Sequence, residues 1–316
     1  MARRKRVIAA LAVALLCAPG TWLRTELPDT PPRDIAITRL QGPGPAGAPG
    51  WDIAGVWQYD AESLLFGGYS ALLALSDNRL RAFSDRAFRM TLTEPDQPGA
   101  PPRITRQIVA PEDANHLWDI ESATRDPVSG RYWLGYENRH TIHRFTREGD
   151  IAGKRDLTAD VDWGTNGGAE AMTRLADGRF VILPEGRSEG VIFAHDPVEG
   201  APLQRFAFRN PAPGFAATDM AQLPDGRLIV LMRDVVWAYP AFTSLIVIGP
   251  PPEAGGVFAP KKALQLDPAI PRENYEGLAL RPRADGRIDV WLIADDNLSV
   301  MQRTLLVKLI FDPRAR

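Results

Sequence analysis

Short runs rich in Val, Ile, Leu and aromatic residues, bounded by Gly, Pro, Asn or Asp, recur from Gly67 to the end of the chain. No stretch carries the 3.6-residue spacing of an amphipathic helix, so the pattern predicts strands throughout. The strands repeat as a unit. Gly67-Gly-Tyr-Ser-Ala-Leu with Asn78 to Asp85 is followed by Asp119-Ile-Glu-Ser-Ala with Gly130 to Glu137, and then by Gly168-Ala-Glu-Ala-Met with Asp177 to Glu185. Thr218-Asp-Met-Ala with Asp225 to Asp234 and Asn274-Tyr-Glu-Gly-Leu with Asp285 to Asp296 complete the series. Glu121 to Glu170 is 49 residues, Glu170 to Asp219 is 49, and Asp219 to Glu276 is 57.

Each unit reads as a strand, a Gly-containing turn such as Asp177-Gly178, and a returning apolar strand, which together make a β-hairpin. Further β-like runs follow, for example Val191 to Ala194 and Gln204 to Phe208. About four strands per unit of this length is the arithmetic of a propeller blade. The prediction is an all-β propeller over residues 33–316 with five visible blade repeats. A degenerate sixth around Trp51 to Leu65 leaves the count at five or six. The fifth unit ends with a single further strand, Leu305 to Phe311, and lacks an outer one. Ile35 to Leu40 near the N-terminus is assigned to supply it, closing the ring and removing two exposed edges. Gln41 to Gly50 and Glu94 to Pro102 read as loops.

The hairpins also place acids. An antiparallel hairpin sets its open ends side by side, which pairs Glu121 with Glu137, Glu170 with Glu185, Asp219 with Asp234, and Glu276 with Asp295 and Asp296. In the first unit only Asp85 remains. Blades repeat about an axis, so these ends converge on one mouth of a central channel. So many carboxylates raise one another's pKa and call for cations. Arg86, Arg139, Arg187, Arg233 and Arg303 adjoin the second-strand acids and are candidates to bind an anionic ligand. A divalent cation, Ca²⁺ above all, is the other compensating charge, with Glu121, Glu170, Asp219, Glu276, Asp295 and Asp296 as its candidate ligands. Asp85, Glu137, Glu185 and Asp234 are the further mouth acids, and Asn138, Asn166 and Asn297 the neutral oxygen donors. The competing account is that acid and Arg pairs only hold blades in register. His140 and His143 read as solvent-exposed, and no Gly-x-Ser-x-Gly elbow or Gly-rich phosphate loop occurs.

Charge removes one class of function. A formal net charge of −2 lacks the basic excess of a nucleic-acid binder. At the N-terminus Arg3, Arg4, Lys5 and Arg6 precede the apolar run Val7 to Leu16, and Pro19-Gly20 breaks it. That run falls short of the roughly 20 residues of a membrane span, so residues 1–20 are expected to be a cleaved export signal. The mature protein is then periplasmic or secreted, with no stable membrane span. Cys17 is the sole cysteine, so no disulfide is available to the rest of the chain.

Phe66-Gly-Gly-Tyr-Ser-Ala-Leu, Asp119-Ile-Glu-Ser with Gly135-Tyr-Glu-Asn-Arg-His140, Asn166-Gly-Gly-Ala-Glu-Ala, Asn274-Tyr-Glu-Gly-Leu, and Ala294-Asp-Asp-Asn with Gln302-Arg-Thr-Leu-Leu resemble the phytase-like propeller family. Its members carry the label "esterase-like activity of phytase". The resemblance implies a β-propeller, bacterial export and a phosphoesterase or esterase activity. The expected partner is a small-molecule ester or phosphate ester, hydrolysed with a divalent metal. Two alternatives stand beside it: a non-catalytic propeller binding a small molecule, glycan or protein in the cell envelope, and a lactonase-like metal propeller.

Overall fold

The structure is a computed structural model and describes residues 27–107, 119–137, 139–164, 167–236 and 241–315. The expected export signal lies outside the described residues. No helix among the described residues is long and apolar enough to cross a membrane.

The first strands are β1 (Ala36–Gln41), β2 (Gly44–Pro45) and β3 (Trp51–Asp60). The first blade is β4 (Tyr69–Ala74), β5 (Arg79–Ser84), β6 (Phe88–Thr93) and β7 (Arg103–Arg106). The second is β8 (Ile120–Arg125), β9 (Tyr132–Tyr136), β10 (Thr141–Phe145) and β11 (Ile151–Asp156). In the third, β12 (Ala171–Arg174), β13 (Phe180–Leu183), β14 (Glu189–Phe193) and β15 (Leu203–Phe208) are consecutive neighbours. The fourth is β16 (Ala216–Gln222), β17 (Leu228–Val235), β18 (Phe242–Gly249) and β20 (Lys261–Gln265). Between its last two strands the chain lays β19 (Val257–Phe258) alongside β15 in parallel, tying the fourth blade's excursion to the third. The fifth is β21 (Asn274–Pro282), β22 (Ile288–Asp295) and β23 (Thr304–Phe311), with β3 and then β1 added outside β23.

The ring is therefore a five-bladed propeller closed by both ends of the chain. The closing strand differs from the one expected. Trp51–Asp60, and not Ile35 to Leu40, pairs with β23, from Trp51 opposite Phe311 to Tyr59 opposite Thr304. The strand β1 pairs only with β3. The physical reason is burial: β3 carries Trp51, Ile53, Val56, Trp57 and Tyr59 into the core, whereas β1 is exposed along nearly its whole length. With Trp51–Asp60 used as an outer strand, no sixth blade forms from it.

Five apolar clusters hold the ring, one at each blade junction. Along β13, Phe180 and Ile182 pack toward the second blade with Trp133 and Ile142, whereas Val181 and Leu183 pack toward the fourth with Val230 and Met232. Along β22, Val290 and Leu292 face the fourth blade, and Trp291 and Ile293 face the first. A strand buried on both faces needs apolar residues at every position. That is why these runs are continuous and not alternating. Fully burying each large side chain contributes about 1.5–3 kcal/mol, so the junctions supply the main cohesion of a domain with no disulfide.

Candidate metal centre at the mouth of the channel

The innermost strands β4, β8, β12, β16 and β21 touch in sequence around the axis. Each enters the ring from the same end. In four of them the register with the next strand slips near that end, leaving one residue without a partner: Ser70, Glu121, Thr218 and Glu276. Glu170 immediately precedes the first pair of β12, Ala171 opposite Leu183, and occupies the matching place. A bulge releases one residue from the ladder and re-aims its side chain. Here it delivers Glu121 and Glu276 to the axis, beside Glu170, close enough that Glu170 and Glu276 raise the pKa of Glu121 and Glu276 that of Glu170.

Two rows of the ring are thus distinguished by one residue. The fourth blade presents Thr218 at the axial position, and Asp219 falls on the other face of the strand, as a shift of one residue requires. Asp219 is fully buried, Oδ1 accepting the N–H of Met220 at 2.8 Å and Oδ2 that of Leu278 at 2.6 Å. It braces the fourth blade against the fifth, with both oxygens turned to backbone donors.

At the returning strands, Glu137 follows β9 and stands beside Asp119 and Glu121. One carboxylate oxygen from each of Asp119, Glu121 and Glu137 lies within 4.8 Å of the others. Asp119 is an addition to the candidate ligands that the repeat pattern marks. The signal was present, since residues two apart on a strand share a face and Asp119 and Glu121 are so spaced. Asp119 has φ of 93°, and its backbone N–H is hydrogen-bonded to the Asp85 carbonyl, tying the second blade's entry to the first.

Crowding sets the electrostatics. Burial, then Glu170, Glu276 and Asp119, push Glu121 well above the usual carboxylate range. Burial, then Glu185, Glu137 and Glu276, do the same to Glu170, with Arg233 opposing. Glu137 rises to about 7 through partial burial and Asp119. Asp85 rises to about 6 because burial outweighs the pull of Arg86. Asp85 Oδ1 is buried without a hydrogen-bond partner, its nearest cation being Arg86 Nε at 3.6 Å. Asp295 is raised by burial and Glu276, though its Oδ1 accepts the N–H of Asn297 at 2.7 Å.

One guanidinium enters this group. Arg233 donates through Nη1 to Glu276 and Asn274 and through Nη2 to Glu185 at 3.0 Å. It moderates the upward push that burial gives Glu276. Arg86 lies beside Asp85 at the rim and donates to the Leu64 and Phe66 carbonyls, and the remaining candidate arginines are placed elsewhere. Arg303 donates to buried Glu273 at 2.6 Å, Arg187 to the Trp163 carbonyl at 2.7 Å, and Arg139 is exposed beside Asp156. Asp296 is engaged by the Gly68 and Leu298 N–H groups, both at 3.0 Å, and by the Thr304 hydroxyl at 2.8 Å. A Cβ on Gly67 would lie 2.6 Å from Asp296 Oδ1 and one on Gly68 2.4 Å from Asp85 Oδ1, which explains the paired glycines. Asp234 packs against the Gly214 turn. Asn297 donates to Gln302 at 2.7 Å, while Asn138 and Asn166 lie outside the described residues. His143 corrects the expectation of exposure: it is buried on β10 against Tyr136, and His140 is half-buried with its ring edge-on to Trp163.

A hard, oxygen-only donor set with an unpaired buried carboxylate oxygen fits a divalent cation. Asp119, Glu121 and Glu137 would hold it, with Asp85 adjacent.

A five-bladed propeller with an acidic mouth is the class that fold and site define. A family model described as "Phytase-like: Esterase-like activity of phytase" matches residues 64–298, and the chain belongs to that family. No curated protein matches it. Among solved structures it is similar to a luciferin-regenerating enzyme, at 10% identity and TM-score 0.48 over 89% of this chain and 97% of that one. It is also similar to the calcium-binding protein regucalcin from Agrobacterium tumefaciens str. C58, at 14% identity and TM-score 0.45 over 92% and 96% of the two chains.

Proposed function

We propose that this protein is a divalent-metal-dependent hydrolase of phosphate esters or related small esters, acting at the acidic mouth. The observation that carries the reading is the convergence of Asp119, Glu121 and Glu137 within 4.8 Å, beside further carboxylates that one arginine cannot neutralise. Family membership supports the ester chemistry. A bound Ca²⁺ would offset the crowded charge and polarise a substrate oxygen. Arg233, fixed by Glu185 and Glu276, is oriented to hold an anionic group of the substrate. The basic run Arg3 to Arg6 and the apolar run Val7 to Leu16 support action outside the cytoplasm, which fractionation of the producing cells tests.

The test is metal analysis of purified protein together with hydrolysis of a panel of phosphomonoesters and carboxylic esters, with EDTA and with Ca²⁺ restored. Activity lost on chelation, regained with Ca²⁺ and absent in Glu121→Gln supports the proposal. Absence of both metal and turnover overturns it in favour of a non-catalytic binding propeller. That second reading draws on Asp296, whose oxygens are already satisfied within the fold.

A further inference from the structure

At the opposite end of the inner strands the charge reverses. Between the first and second blades lies a small cavity of about 90 Å³ whose wall includes Arg79, Arg81, Arg125 and Arg147 together with Ser76 and Tyr132. No carboxylate lines it. Arg125 ends β8 and donates Nη1 to the Ala74 carbonyl at 2.5 Å, which aims the guanidinium into the junction. Arg81 projects from β5 over the Tyr132 ring, 5.9 Å from its centre, and donates to the Thr91 hydroxyl at 3.3 Å. Arg147 packs along Gly130.

Among the described residues, the one ion pair made by these four arginines is Arg79 with Asp77 at 3.7 Å, and that pair is largely exposed. The nearby Asp126 is committed to its own turn, accepting from Ser129 Oγ at 2.7 Å and the Val128 N–H at 3.0 Å. Like charges held together under partial burial disfavour one another. Arg81 is pulled down by burial and by Arg89, and Arg125 by burial, Arg147 and Arg281. Such a group is completed by an anion. Guanidinium forks match tetrahedral oxyanions, and such charge-assisted bonds are stronger than neutral ones. One water's share of liquid volume is about 30 Å³, so the cavity suits one small oxyanion and not a sugar or a nucleotide.

We infer that the crevice between the first two blades, lined by Arg79, Arg81, Arg125 and Arg147, is a second ligand site that takes a single phosphate-type oxyanion, remote from the acidic mouth. The inference does not depend on the mouth being catalytic. The anion's source is either free inorganic phosphate or the phosphoryl group of a larger molecule.

Calorimetric titration of the whole protein with inorganic phosphate, and in parallel with phenyl phosphate, tests it at ionic strength matched with chloride and in EDTA. Saturable phosphate binding is expected, weakened about tenfold or more by Arg125→Met and by Arg147→Gln. Arg147 is exposed, so its variant keeps the test clear of misfolding. Phosphate bound tighter than the ester identifies the free anion, and the reverse identifies a phosphoryl group on a larger ligand. Absence of saturable binding overturns the inference. So does binding that persists in both variants but is lost in Arg233→Gln, since that ligand would belong to the mouth.

Discussion

Asp219 of the fourth blade accepts the backbone N–H of Leu278 of the fifth at 2.6 Å, across a junction both residues help to bury. The neighbouring bulge position, Thr218, takes the place that Glu121 and Glu276 occupy in their blades. A carboxylate whose two oxygens are both occupied by backbone donors has a scaffolding role. Asp219→Asn should therefore lower stability by about 1.5–3 kcal/mol, since the amide presents an N–H to one of those donors. Urea unfolding measures the loss. Metal content per folded molecule should be unchanged, and a variant that folds normally but loses metal would contradict this assignment.

Glu121 behaves in the opposite sense. Among the described residues it makes no ion pair, and it is crowded by Glu170 and Glu276, so Glu121→Gln removes repulsion. The metal-free variant should melt at the same temperature as the parent or higher, and metal uptake should fall at least tenfold. Asp296→Asn is the contrast. It disturbs acceptors for Gly68, Leu298 and Thr304 and should cost about 1–3 kcal/mol whether or not metal is present.

The pH dependence of the metal-free protein has a definite sign. Glu137 and Asp85 titrate at about 7 and about 6 in the fold, against 4.5 and 3.8 as ordinary groups. Between those limits the folded state keeps protons that the unfolded state has released. Stability must then fall as pH rises from about 4 to about 7. Scanning calorimetry in EDTA should show the decline, and Glu137→Gln should flatten its upper part. Ca²⁺ should raise the melting temperature more at pH 7.5 than at pH 5, because the ligands must lose their protons to bind it.

Arg303→Ala leaves the buried Glu273 carboxylate without its guanidinium. Because Arg303 itself is more than a third exposed, screening tempers the loss, and about 1–3 kcal/mol is expected in place of the full cost of a broken buried pair. The measurement is equilibrium unfolding. A shift below about 0.5 kcal/mol would mean that water replaces the arginine.

Much of the ring was legible because a strand buried on both faces writes a continuous apolar run, as in Phe180 to Leu183 and Val290 to Ala294. The spacing of Glu121, Glu170 and Glu276 located the inner strands for the same reason. What spacing could not resolve was a single-residue choice. Thr218 and Asp219 differ by one position, and only the bulge decides which reaches the axis. Nor could it separate β1 from β3 as the closing strand, since both are β-like and the choice rests on which sequence has enough apolar surface to cover β23. His143 reads as exposed from its polar character alone, whereas its ring packs among aromatics.

The seam between β3 and β23 unites residues that are nearly the whole chain apart, Trp51 with Phe311 at one end. A chain emerging from its N-terminus therefore presents one of its most apolar strands long before the strand that covers it exists. Loop-closure entropy and this high sequence separation make zipping the seam a late event. Until then Trp51, Trp57 and Tyr59 are open to aggregation, and helper proteins would have their strongest grip there. A chain shortened by its final strand would be left with two raw sheet edges and no way to complete the circle.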